Sequence, residues 1–253
     1  MIDASPGSLV FLLVAGLLAG VVNGVAGGGS LLVFPALLAV GFSPLAANVT
    51  NSVAQWPGYV GIVAGTRHDL DGQGGRLRHT APVAVVGSAV GCVLLLVLPD
   101  AVFDAVVPVL VLLASVLTGL GPRIRTWVGT PAAGAPDRLG TLVPAISLAA
   151  VYGGYFGGAL GVILIAALSL CTNDRLVRLN AHKGLLTLLV ATVTVVIFTI
   201  GAPVDWLAVA LLTPSTLVGG YLGGALARRL PEDVLRGAVV LVGLTVGVYL
   251  LVT

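Results

Sequence analysis

From Ala4 to Thr66 the chain carries no Asp, Glu, Lys or Arg, and the same holds from Leu139 to Asn173. A soluble surface needs interspersed charge, so stretches this long belong in lipid. Of the 253 residues, 58% are hydrophobic and 9% charged. The expected class is an all-α integral membrane protein with several spans and no soluble domain. The N-terminus has no basic segment ahead of its first apolar run, so a cleaved signal peptide is not expected. Cys92 and Cys171 both sit in apolar context. They are expected to be packed free thiols rather than a disulfide or a metal site.

Each charge-free stretch holds a glycine cluster near its middle. The first is Asn23-Gly24-Val25-Ala26-Gly27-Gly28-Gly29-Ser30, and the second runs from Gly153 to Gly161. Glycine costs about 1 kcal/mol per helical position relative to alanine, so such clusters should interrupt a helix. A span needs about 20 apolar residues. Residues 8–42 and 140–171 are each too short for two spans and too long for one. Two half-helices in a re-entrant hairpin fit both. Irregular backbone at membrane depth must be buried in protein or line a wet cavity. Paired breaks in two halves of a chain point to a transporter's site. The plainer alternative is close helix packing through small residues. Six further segments have span length: 45–66, 79–98, 103–121, 180–200, 205–227 and 235–252.

All twelve Lys and Arg residues fall in four groups: Arg67, Arg76 and Arg78; Arg123, Arg125 and Arg138; Arg175, Arg178 and Lys183; Arg228, Arg229 and Arg236. The connections at 99–104 and 201–205 carry only Asp100, Asp104 and Asp205. The positive-inside rule places the four basic loops in the cytoplasm. Each half is then a hairpin plus three spans, and an odd number of spans turns the second half over. The expected organisation is an inverted repeat: residues 1–121, a cytoplasmic linker at 122–138, and residues 139–253. An independent register supports it. At an offset of 132, Asn48 matches Asn180, Pro82 matches Pro214, Gly87 matches Gly219, Gly91 matches Gly223, and Leu98-Pro99 matches Leu230-Pro231.

Asp104 and Asp205 stand at the very starts of expected spans, no carboxylate lies deeper within one, and no His pair has ligand spacing. An enzyme, a bound metal and a cofactor are therefore not expected. What remains is a polar cluster on the repeat register: Asn48, Thr50 and Asn51 in one half, Asn180, His182 and Lys183 in the other. Lys183 is the only lysine. It either faces an anion in a cavity or snorkels to the headgroups. His182 is read as a helix-end polar residue or a titrating group, and Asn48 and Asn51 as ligands or as helix-to-helix ties. Half-helices starting at Gly29-Ser30 and near Gly158 present free N–H groups and a positive dipole end, which suits an anion. Glycine admits a ligand close to the backbone. The candidate substrate-binding set is Asn23, Gly27, Gly28, Gly29, Ser30, Asn48, Thr50, Asn51, Gly157, Gly158, Asn180, His182 and Lys183.

The run from Asn23 to Leu38, followed by Ala46-Ala47-Asn48-Val49-Thr50-Asn51-Ser52, resembles the TauE/SafE family of sulfite exporters. So does Val204-Asp205-Trp206 with the later run from Gly219 to Pro231. The resemblance covers nearly the whole chain. It implies a multi-pass transporter of the plasma (inner) membrane that exports small sulfur-containing anions such as sulfite or organosulfonates. Asn180-Ala181-His182-Lys183 departs from the Ala-x-x-Thr-Ser-like run of many members, which bears on the substrate. Expected partners are the anion and the bilayer, with protons as a candidate coupling ion, a homo-oligomer left open, and no nucleic acid. A passive anion channel and a non-transporting membrane scaffold are the alternatives.

Overall fold

The computed structural model describes residues 6–128, 136–226, 229 and 232–252. They form ten α-helices: α1 Pro6–Val25, α2 Ser30–Ala39, α3 Pro44–Thr66, α4 Gly74–Val97, α5 Asp100–Val128, α6 Leu139–Tyr155, α7 Leu160–Cys171, α8 Leu176–Gly201, α9 Trp206–Leu226 and α10 Glu232–Val252. A 3-10 turn at Arg67–Leu70 follows α3. Linker residues 129–135, Arg228 and the Leu230-Pro231 pair lie outside the described residues, as do the side chains of Arg125 and Glu232.

Local chemistry explains where helices begin and stop. Ser43 caps α3, its hydroxyl accepting the Ala46 amide at 3.4 Å, and Pro44 occupies the first turn. α1 and α6 both run into glycines in the left-handed region, Gly27 at φ 75 and Gly157 at φ 77. That conformation ends a helix and favours a residue without Cβ.

Among the described residues, six helices are long and apolar enough to cross a membrane: α1, α4, α5, α8, α9 and α10. This corrects the sequence expectation at one place. α3 has 23 residues, but Asn48, Thr50, Asn51, Ser52 and Gln55 lower its hydropathy, and it drops out. α1 enters instead, with 20 residues against 10 in α2, so the first break does not divide equal half-helices. The second break is more even, with 17 residues in α6 and 12 in α7. Outer faces expose large aliphatics such as Val86, Ile200 and Leu241, as a multi-pass membrane protein requires.

Glycines let the helices touch backbone to backbone. α9 packs against both α1 and α3. A Cβ on Gly20 would lie 2.6 Å from the Gly220 amide nitrogen, and one on Gly61 would lie 2.5 Å from the Leu217 carbonyl oxygen. Gly16 is level with Leu212 and Gly24 with Gly223; Gly58 is level with Thr216 and Gly65 with Ala225. α1 and α3 therefore run in the same sense as α9. On the other side α4 packs against α6 and α8. Gly87 meets Ser147 and Gly91 meets Val151, while Thr80 meets His182 and Leu96 meets Gly201, so these three also share one sense. α3 and α8 cross in opposite senses, with Trp56 Nε1 donating to Thr192 Oγ1 and Ile62 beside Gly184. α5 packs against α10. Close packing through glycine thus holds on α1, α3, α4 and α9, and it takes in Gly24 of the first cluster and Gly154 of the second. At Gly27 and Gly157 the chain itself turns.

Candidate functional site

The two breaks meet at the centre. A Cβ on Gly27 would lie 3.0 Å from Cα of Gly161, so one break rests on the other. Phe34 of α2 and Phe156 of the second break stack edge to face, with centroids 5.6 Å apart.

At the first break, Asn23 folds back over the chain. Its Oδ1 accepts the Gly29 amide at 2.8 Å and the Gly28 amide at 3.2 Å. The N–H groups expected to meet a ligand are here held by the protein's own side chain. Asn23 Nδ2 donates to Gln55 Oε1 and, at 3.5 Å, to the Tyr59 hydroxyl. Gln55 Nε2 in turn donates to Ser30 Oγ and to Asn51 Oδ1. Asn23, Ser30, Asn51 and Gln55 thus form one buried network around the start of α2.

The second break has no such side chain. Its Gly158 carbonyl accepts the Tyr152 hydroxyl at 2.6 Å. Among the described residues, none accepts a hydrogen bond from the Gly158 or Ala159 amide, and both residues are buried. Ala159 is itself left-handed, at φ 57.

The repeat-register asparagines tie each break to the other half of the chain. Asn48 Nδ2 donates to the Tyr155 carbonyl, the last of α6, at 3.0 Å. Asn180 Nδ2 donates to the Gly24 carbonyl, near the end of α1, also at 3.0 Å. Helix ends leave carbonyls without intrahelical donors, and these amides satisfy one at each break. Asn48 Oδ1 is buried without a partner among the described residues.

Lys183 completes the end of α1, with its Nζ donating to the Asn23 carbonyl at 3.2 Å. An ammonium there also faces the negative end of the helix dipole. At 2% exposure the residue does not snorkel to the headgroups. It stands in the wall of a cavity of about 580 Å³, with Asn180, Thr66, Asp69 and Arg229 as the other polar lining.

Two predicted residues lie elsewhere. Thr50 Oγ1 accepts the Asp205 amide at 3.1 Å, which fastens α3 to the loop before α9. His182 faces α4. Gln73 donates its amide N–H groups to the Asp69 and Arg178 carbonyls, so its Oε1 must accept from His182 Nδ1, at 3.0 Å. His182 Nε2 meets Thr80 Oγ1 at 3.1 Å. Beside them Arg76 pairs with Asp137 at 2.8 Å and Asp174 at 3.3 Å, and Arg178 pairs with Asp174 at 2.9 Å. Burial alone would raise the Asp174 carboxyl, but hydrogen bonds from Arg178, the Arg175 amide and Arg76 hold it below its usual range.

Sequence reasoning missed Tyr59, Thr187 and Thr194. Tyr59 and Thr187 both line a small space of about 10 Å³ between the breaks. Tyr59 lies four residues past Gln55, and Thr187 four past Lys183. That spacing puts each pair on one helix face, a signal that was present but weak without knowing that α3 and α8 face each other.

The family model described as "Sulfite exporter TauE/SafE" matches residues 12–250. "Probable membrane transporter protein YfcA" of Escherichia coli (strain K12) is 26% identical over 254 residues, covering 98% of this chain and 91% of that protein. "Probable membrane transporter protein ORF9" of Sinorhizobium sp is 25% identical over 255 residues, covering 96% and 92%. A "Probable membrane transporter protein" of Haemophilus influenzae is 24% identical over 244 residues, covering 92% and 90%. No solved structure matches the chain.

Proposed function

Because the chain belongs to the sulfite exporter TauE/SafE family, we propose that this membrane transporter exports a small sulfur-containing oxyanion, sulfite or an organosulfonate, across the plasma membrane. The carrying observation is Lys183, a buried cation in the wall of a 580 Å³ cavity and directly beside the first glycine break. A fixed positive charge in a low-dielectric wall attracts an anion far more strongly than the same charge in water. Arg229 adds a second cation to the lining, and Asn180 a hydrogen-bond donor.

The reading includes a membrane orientation. The basic loops face the cytoplasm, so the cavity, bounded by the ends of α3 and α9 and the start of α8, opens there. The two halves are inverted repeats, each with a re-entrant hairpin, α1–α2 or α6–α7. The exchange of α9 onto α1 and α3, and of α4 onto α6 and α8, is what such a pseudo-twofold arrangement predicts. So is the reciprocal pair of asparagine ties. Transport is by alternating access around the breaks. The anion enters from the cavity, takes the Lys183 ammonium from the Asn23 carbonyl, and competes with Asn23 Oδ1 for the Gly28 and Gly29 amides. Protons are the candidate coupling ion in this scheme.

Calorimetry on purified protein with sulfite and with a small sulfonate tests the site. Lys183→Met is expected to lose most of the affinity, and Lys183→Arg to keep part of it. Wild-type affinity in Lys183→Met would overturn the proposal.

A further inference from the structure

The large cavity is not the end of the polar interior. Lys183 also lines the second, 10 Å³ space, together with Asn23, Tyr59, Gly157, Leu160 and Thr187. A third space of about 30 Å³ shares Tyr59, Gly157, Leu160 and Thr187 with the second and adds Ser52 and Thr194. Resting on the transporter reading above, we propose that these three spaces are one passage between α3 and α8, and that Tyr59 and Leu160 set the size of the anion that crosses it.

The order of the lining residues carries the argument. On α3 they fall from Gly65 and Thr66 at the cavity to Tyr59 and then Ser52. On α8 they rise from Val177 and Lys183 to Thr187 and then Thr194. Because α3 and α8 run in opposite senses, both series advance in the same direction. From Thr66 to Ser52 the passage covers about 20 Å at 1.5 Å per residue, most of the way through a bilayer core.

Volume locates the constriction. The inner spaces, at about 10 and 30 Å³, are a small fraction of the 580 Å³ cavity, so an anion with room in the cavity does not have the same room beyond it. Something between them has to yield. The glycine backbones cannot, since Gly27 and Gly161 already touch. Leu160 can: its side chain lies over Gly153, whose missing Cβ leaves the room it occupies, at 2.7 Å from where that Cβ would be. Tyr59 lines both inner spaces, its hydroxyl held by Ser30 and by a long 3.5 Å hydrogen bond from Asn23, and it is the other side chain that would have to swing. Beyond this layer the lining is neutral, with Ser30, Ser52, Gln55, Thr187 and Thr194 as its hydrogen-bonding groups. An anion that passes leaves Lys183 and Arg229 for hydroxyls and an amide, and pore width with lining groups sets selectivity.

The test uses full-length protein in proteoliposomes, supplied with sulfite and benzenesulfonate. Leu160→Ala and Tyr59→Ala are each expected to shift the rate ratio toward benzenesulfonate by about tenfold or more, the scale of a side chain's worth of pocket. Tyr59→Phe should leave the ratio unchanged. A second readout needs no transport: with Cys92→Ala and Cys171→Ala in place, Ser52→Cys should react with a methanethiosulfonate from the cavity side about tenfold faster once Leu160→Ala is added. If wild type moves neither anion, the function proposed above fails, and the thiol rates still judge the passage. An unchanged ratio in both alanine variants, or an unchanged thiol rate, overturns the passage itself.

Discussion

The two glycine breaks do the same geometric work with different chemistry. Both leave a helix through a left-handed glycine, Gly27 or Gly157 at almost equal φ, and both receive an asparagine from across the molecule on a helix-end carbonyl. At the first break, however, Asn23 supplies an acceptor for the Gly28 and Gly29 amides. At the second, the Gly158 and Ala159 amides take no acceptor from the described residues. A buried N–H without a partner costs about 1–3 kcal/mol. The first break thus supplies its own acceptor for two amides, and the second supplies none for its two. Sharing a register does not mean sharing a state of satisfaction.

The largest effect should come from closing the first break's space. Gly29→Ala would place a Cβ 2.1 Å from the Ala19 carbonyl oxygen, which is backbone and cannot step aside. Folded, monodisperse protein should be lost on size-exclusion chromatography; recovery of wild-type yield would show that this turn is looser than described. Asn23→Ala removes the acceptor for two amides, and should cost about 1–3 kcal/mol for each one left dry. Thermal unfolding in detergent would show it, and an unchanged midpoint would mean that water serves the first break as well as Asn23 does. Acid provides a smaller test away from the breaks. The Asp174 carboxyl is held below its ordinary value, so its contribution is present above the unfolded aspartate range, near about 4, and is lost as pH falls through the lower folded value. The unfolding midpoint should drop there in wild type and less in Asp174→Asn. Ala159→Gly should matter least. Left-handed backbone costs alanine about 1–2 kcal/mol, and glycine returns about 0.5–1 kcal/mol of that as added freedom in the unfolded chain. A shift beyond about 1 kcal/mol in the same melt would mean that the Ala159 methyl packs more than its conformation costs.

The helices and the breaks were legible because their signals are local. Apolar length, absence of charge and clustered glycine each constrain the backbone within one turn. The polar set was legible in part. Lys183, Asn180, Asn23 and Ser30 do come to the breaks, but Thr50 and His182 turn to the α9 entry loop and to α4. Both sit beside true neighbours of the breaks, and a shift of one residue on a helix rotates a side chain by about 100°. Nothing in the pattern says which of two adjacent polar residues faces inward until the partner helix is placed. Asn23 was expected to meet a ligand; that its Oδ1 accepts the Gly28 and Gly29 amides depends on the turn's own geometry.

The exchange of α9 onto α1 and α3 also sets a timetable for biogenesis. α1 and α3 present bare glycine faces from the moment they enter the bilayer, yet the helix that fits them is Trp206–Leu226. At ribosomal speeds of about 5–20 residues per second, roughly ten to thirty seconds separate the synthesis of Thr66 from that of Leu226. During that interval lipid, or an insertase, must occupy the seam that α9 later fills. A nascent chain stopped short of α9 keeps that seam open and is a natural substrate for membrane quality control.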